Sequence, residues 1–116
     1  MDEPTFLFSY GSLREAAAQR AVFGRALEGF ADTLTGFVAE PIRVTDARTI
    51  ATSGTADHRI LRATTDGSGA VPGLALAIRA EDVAAADAYE PAGYERTIVT
   101  LASGRRAYVY VASNPA

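Results

Sequence analysis

The sequence predicts an α+β domain in which a small mixed β-barrel of about five to seven strands stands beside two short flanking α-helices. Three observations carry that prediction. The elements run in the order strand, helix, several strands, helix, hairpin. The helical patterns are alanine-rich and few, where a doubly wound parallel sheet would need more of them. The strand-favouring segments are short and interrupted by glycine, as expected where a sheet curls.

Residues 5–9 form the first strand. Phe6, Leu7 and Phe8 are consecutive, so the strand is expected to be covered on both faces and central. Glu15-Ala16-Ala17-Ala18-Gln19-Arg20-Ala21-Val22-Phe23-Gly24 reads as a short proline-free helix ending on a glycine suited to the left-handed C-terminal position. Its small residues suit packing on a sheet, with Gln19 and Arg20 expected to face water. Between residues 26 and 44, Gly29 and Gly36 punctuate two bent strands, and Pro41 points to an edge or a break.

Residues 45–69 read as loop-rich, mixing Thr, Ser, Asp and Gly around a short strand at residues 60–63. A strand over residues 71–79 follows, after a Pro72-Gly73 turn element. The run from Ala80 to Glu90 has Glu81 and Asp82 in its first turn, an alanine-rich middle and Pro91 as its stop, so it is the second helix. Residues 94–101 and 105–112, joined at Ser103-Gly104, make the clearest hairpin. Residues 113–116 are expected to fray.

The whole of this length, 116 residues, suits one compact domain over residues 1–116 with no need of disulfides or metal. The net charge of −3 gives no electrostatic reason to expect nucleic acid or an anionic membrane. All eleven basic residues are arginine, which excludes a Schiff-base lysine and a Walker-type phosphate loop. Cysteine is absent, so no thiol nucleophile, Cys-based zinc site or disulfide framework is available. The start Met1-Asp2-Glu3-Pro4 lacks a basic region, and no apolar stretch approaches the ~20 residues of a membrane span. A cytoplasmic protein is the expectation, with a small-molecule substrate and either a monomer or a weak homodimer.

Few residues qualify for chemistry. Glu90 lies at the end of the second helix, where the carbonyl dipoles disfavour its negative form and raise its proton affinity. That suits a general acid or base near neutral pH; the competing reading is a solvated glutamate at a fraying helix end. Asp87, three residues earlier on the same side, would form a carboxylate pair with it or stand as a plain surface aspartate. Glu81 and Asp82 are better explained as charges stabilising the helix N-terminus. At the other end of the chain, the strand-to-helix passage through Tyr10, Gly11, Ser12 and Leu13 gathers backbone N–H groups and a hydroxyl where an anion could sit, unless it is an ordinary connection. Tyr10 and Tyr94 each end a strand with a hydroxyl, whereas Tyr108 and Tyr110 read as sheet residues sharing a face. Ser12 as nucleophile would need His58 as its base; a satisfied or exposed histidine is the competing reading.

Tyr10-Gly11-Ser12-Leu13-Arg14 after an apolar strand, with Asp87-Ala88-Tyr89-Glu90, then Tyr94 and a terminal hairpin, resembles the gamma-glutamylcyclotransferase-like superfamily, in its avirulence-induced-gene-type branch of small bacterial-type members. The resemblance implies a small mixed barrel whose first loop holds the gamma-glutamyl end of a substrate. It puts Glu90 at the catalytic acid/base position, Tyr10, Gly11, Ser12 and Leu13 at the binding loop, and Tyr94 at the cavity. It implies release of 5-oxoproline and an amine by an acyltransferase or lyase without metal or cofactor. The alternative is a non-catalytic metabolite-binding or regulatory module with the same pocket. Residues 42–71 match no specificity pattern.

Overall fold

The computed structural model describes residues 4–113. Among these described residues seven strands fall in two sheets, with three α-helices and a 3-10 turn at Ser12–Arg14. The first strand, β1 (Phe6–Ser9), is followed by α1 (Ala16–Phe23), β2 (Gly29–Thr35), β3 (Phe37–Arg43), α2 (Ala47–Ser53) and β4 (Asp57–Ala63). Then come β5 (Ala70–Ala77), α3 (Ala80–Tyr89), β6 (Tyr94–Thr100) and β7 (Arg106–Ala112). The larger sheet has the order β2-β5-β1-β7-β6, so β1 is central, as its apolar run requires. It pairs antiparallel with β5 and parallel with β7; β6 and β7 form the expected hairpin, with Tyr94 opposite Ala112 and Thr100 opposite Arg106.

Alternation along the central strands divides the core into two layers. Phe8 and Tyr10, with Ala107 and Val109, face Leu61 of β4 and the partly buried Phe37 and Ala39 of β3. Leu7, Tyr108 and Tyr110 face the other way, onto Ala18 of α1 and Ala86 of α3. The small helix residues let both helices approach the sheet closely. Gln19, expected in water, is instead buried: its amide donates to the Leu13 carbonyl at 2.9 Å and its oxygen accepts from the Leu27 N–H at 2.8 Å. It ties the start of α1 to the loop that leaves its end.

The β3–β4 hairpin covers the other face as a sheet of its own rather than closing one hydrogen-bonded ring. The seam runs through Gly36, whose φ of +82° turns β2 into β3, whose N–H reaches the Gly69 carbonyl and whose own carbonyl accepts from Thr64. Pro41 lies on β3, which pairs on one side only, so its missing donor breaks no second ladder. Gly73 and Pro72 lie inside β5 and not in a turn. A Cβ at Gly73 would stand 2.4 Å from the Ser9 carbonyl oxygen, so glycine is what lets β5 pass the end of β1.

The largest difference from expectation is α2, within the stretch read as loops. Asp46 caps it by accepting from the Thr49 N–H at 2.9 Å, and Gly54 ends it at φ +80°. It is short and rich in Thr and Ser, so tertiary contact supports it: buried Thr49 donates its hydroxyl to the Tyr89 carbonyl at 2.9 Å, docking α2 on the end of α3. Strand β4 likewise begins three residues earlier than expected, at Asp57. Residues 114–116 of the tail expected to fray lie outside the described residues.

Candidate active site

A cavity of about 420 Å³ opens where the ends of β1 and β7, the start of β4 and the end of α3 come together. Its walls bring together Tyr10, Gly11, Ser12, Leu13, Glu90 and Tyr94, residues that are far apart in the chain. The first four form the passage out of β1. The Arg14 N–H closes on the Gly11 carbonyl at 3.1 Å and makes the 3-10 turn. As in any first helical turn, the N–H groups ahead of it find no partner within the turn; those of Ser12 and Leu13 meet no acceptor among the described residues. Where a Cβ would stand on Gly11, no described residue beyond its two chain neighbours has an atom within 4 Å, which leaves the backbone open beside the cavity.

Glu90 is positioned by the way α3 stops. Its N–H still bonds to the Ala86 carbonyl at 3.1 Å, but Pro91 disfavours helical geometry in the residue before it, and Glu90 leaves the helix extended at ψ 131°. Its carboxyl therefore ends a helix and faces a cavity, and among the described residues no hydrogen bond or ion pair reaches it. Burial pushes its pKa up, and the charge of Asp87 adds to that, bringing it to about 7. Burial is thus the main cause, ahead of the neighbouring charge. Asp87 does not pair with Glu90. It accepts from the Tyr110 hydroxyl at 2.6 Å and from Arg96 Nε at 3.0 Å, which holds its charge behind the site.

Four tyrosines surround this carboxyl. Burial raises the pKa of Tyr10, Tyr89, Tyr94 and Tyr110 alike, and the Glu90 charge raises each further. All four therefore stay neutral hydroxyls at physiological pH. Tyr10 donates to the Tyr110 carbonyl at 2.8 Å and Tyr94 to the Arg59 carbonyl at 2.9 Å. Ser12 Oγ lies 2.5 Å from the Tyr89 hydroxyl, a bond that joins the loop to the last residue of α3. The two halves of the cavity are thus fastened to each other one residue before Glu90.

Several lining residues were not singled out by sequence reasoning. Tyr89 enters the sequence reading only within the Asp87-Ala88-Tyr89-Glu90 run, with no role of its own. Tyr110 shares a face with Tyr108, as expected, and that face lies toward the helices; Tyr110 also reaches the cavity, whereas Tyr108 does not line this space. Ser53 and Arg59 come from the stretch taken for loops. His58 lines the cavity too, but its Nε2 lies 3.1 Å from both Ser53 Oγ and the Thr55 carbonyl, so the pairing of Ser12 with His58 is not formed. The pairing of β4 with β3 fixes His58 against the end of α2, away from Ser12. Among the described residues no group of three or more His, Cys, Asp or Glu side chains is arranged to hold a metal ion, and no helix is long and apolar enough to cross a membrane.

An open sheet with helices on one face, a hairpin on the other and a compact cavity at the strand ends defines the class, a mixed α+β protein with a candidate site at the strand ends. The family model described as gamma-glutamyl cyclotransferase, AIG2-like, matches residues 7–116, and the chain belongs to that family. Among solved structures, that of At3g28950.1 from Arabidopsis thaliana is similar with a TM-score of 0.74 and 18% identity, covering 99% of this chain and 66% of that one. That of At5g39720.1, from the same plant, gives 0.68 and 20%, covering 99% and 74%. At these identities the likeness is one of fold. No curated protein gives a significant match.

Proposed function

We propose that the protein is a gamma-glutamylcyclotransferase-type enzyme, in which Glu90 is the acid/base and Tyr10, Gly11, Ser12, Leu13 and Tyr94 hold the gamma-glutamyl unit. The observation that carries this reading is that a carboxyl with no partner among the described residues, its pKa pushed up to about 7 by burial, shares one cavity with the open backbone of the Ser12–Leu13 turn. Family membership supports the reaction class.

In the reaction the substrate's own α-amine attacks its γ-carbonyl carbon. A carbon–nitrogen bond closes the five-membered lactam, and the amide bond to the leaving amine breaks. The α-ammonium sheds one proton before attack and a second as the lactam nitrogen forms; the leaving nitrogen takes up two and departs as an ammonium. A carboxyl with a pKa of about 7 is matched to both directions of that traffic at neutral pH. Holding amine and carbonyl in one compact site makes the attack effectively intramolecular and oriented. The N–H groups of Ser12 and Leu13 and the Ser12 hydroxyl are the donors for the substrate carboxylate or the developing oxyanion. The neutral tyrosines supply a wall that takes no proton from Glu90.

The test is a screen of gamma-glutamyl amines, amino acids and related conjugates for release of 5-oxoproline by the purified protein. Turnover of at least one class is expected. Tight binding of such compounds without any release would favour the metabolite-binding module instead.

A further inference from the structure

Two arginines grip the loop of the site at successive carbonyls. Arg14 Nε donates to the Gly11 carbonyl at 3.1 Å, and Arg59 Nη2 donates to the Tyr10 carbonyl. Arg59 is the better placed for a ligand. It enters from the opposite wall on β4, its guanidinium carbon lies 5.8 Å from the centroid of the Tyr10 ring, and its backbone carbonyl is held by Tyr94. The residue is exposed and lines the cavity, so it belongs to the mouth, whereas Glu90 is the more enclosed. Among the described residues no carboxylate forms an ion pair with Arg59. Asp57, on the same rim, is paired with Arg43 at 3.1 Å; Glu15 is the other acid there. Among the described residues Glu90 forms no ion pair with Arg59 either. The cavity therefore carries a buried carboxyl at one place and an uncompensated cation, with several unused N–H donors, at another.

We propose that Arg59 is a specificity residue that reads a carboxylate on the leaving-amine side of the substrate, so that the enzyme selects gamma-glutamyl conjugates whose departing amine is itself anionic over those of neutral amines. The inference rests on the cyclotransferase reading for the orientation of the substrate. The glutamyl unit must put its α-amine at the enclosed Glu90, and the departing group then extends toward the mouth, where Arg59 stands. A guanidinium meets a carboxylate with parallel N–H donors, and a neutral amide in the same place leaves that demand unmet. The space is at the small end of ligand pockets, which run ~300–1,000 Å³, and fits a substrate of dipeptide size.

The experiment compares gamma-glutamyl-alanine with gamma-glutamyl-alaninamide, which differ only in that terminal charge, for the protein as it stands, Arg59→Gln and Arg59→Lys. The unaltered protein is expected to favour the carboxylate by about ten- to a hundredfold in kcat/KM, the range of a charge-assisted hydrogen bond. In Arg59→Gln the ratio should fall to near one, chiefly through KM, and Arg59→Lys should restore part of it. Equal use of the two compounds by the unaltered protein overturns the proposal, as does a ratio that survives in Arg59→Gln. An equal loss on both compounds also overturns it, since that is the mark of an arginine that only shapes the loop or holds the glutamyl end. Binding of both compounds is measured in parallel by calorimetry. If neither turns over, a carboxylate preference in binding that Arg59→Gln removes upholds the anion site while the cyclotransferase reading falls; no preference in binding, or no binding, overturns the anion site as well.

Discussion

Helix α3 carries a carboxylate at each end, and the two have opposite surroundings. At its start Asp82, 4% exposed, accepts two bonds from Arg25, at 3.0 and 2.6 Å, and one from the Arg79 N–H at 2.7 Å. The Arg25 bond chiefly holds its pKa below the ordinary carboxylate value, against its own burial. At the far end Glu90 has neither cation nor donor among the described residues, and burial and Asp87 lift it to about 7. The first is how a carboxylate is buried when its task is to hold a fold together: capped, paired and permanently charged. The second arrangement costs stability, and a group kept in that state inside a cavity is a candidate for chemistry.

The comparison breaks most visibly in activity. With a gamma-glutamyl substrate identified, Glu90→Gln is expected to lower kcat by about 10²–10⁴, the usual worth of an acid/base group, while Asp82→Asn leaves a folded enzyme with turnover near normal. Stopped or continuous assay of 5-oxoproline release reads both.

Stability should move the other way, with opposite pH dependence at the two ends. Glu90 binds its proton more tightly folded, at about 7, than at the ordinary 4.5. Its contribution to stability is therefore complete below 4.5 and is lost as pH rises through about 7, a difference of ~3 kcal/mol at most. Chemical denaturation at pH 8 should find Glu90→Gln more stable than the natural chain by about 1–3 kcal/mol, with little difference at pH 5. Asp82 has a depressed folded pKa, so its contribution is present above the ordinary carboxylate range and disappears as pH falls through the folded value. Asp82→Asn should cost about 1–2 kcal/mol at neutral pH, from the lost cap and pair, and less in acid. If both variants drift with pH in the same direction, the contrast between the helix ends is wrong.

The smallest effect belongs to Asp87, whose charge is the lesser of the two influences on Glu90. In Asp87→Asn the acid limb of the kcat/KM profile should move to lower pH, with the limb still above that of an ordinary carboxylate because burial persists. A limb that does not move would show that Arg96 and Tyr110 already neutralise that charge.

Much of this arrangement was legible in the sequence, and for definite reasons. Strands β6 and β7 announce themselves by alternation around Ser103-Gly104, α1 by alanine and Gly24, and α3 by its acidic first turn and Pro91. Each is a local signal that agrees with the tertiary result. The two halves of the candidate site, which meet in one cavity, could be picked out because each sits at an element boundary, where Gly11 and Pro91 punctuate the chain. What failed to show was α2 and the first half of β4. Asp46 and Gly54 are proper caps, but the Thr- and Ser-rich segment between them has little helix propensity, and its support is a bond from Thr49 to the end of α3. Arg59 was hidden with it, and so was the place of His58, since only the pairing of β4 with β3 carries the two to the cavity. Gln19 misled for a related reason: its position in the helix reads as solvent-facing, and its burial depends on two backbone groups of loops outside the helix.

The most direct measurement is the titration of the Glu90 side-chain carboxyl by carbon-detected NMR, assigned by its absence in Glu90→Gln. A midpoint near 7 that falls in Asp87→Asn is the expected result. A midpoint at the ordinary carboxylate value of 4.5 would mean that Glu90 is solvated, and the acid/base assignment would fall with it.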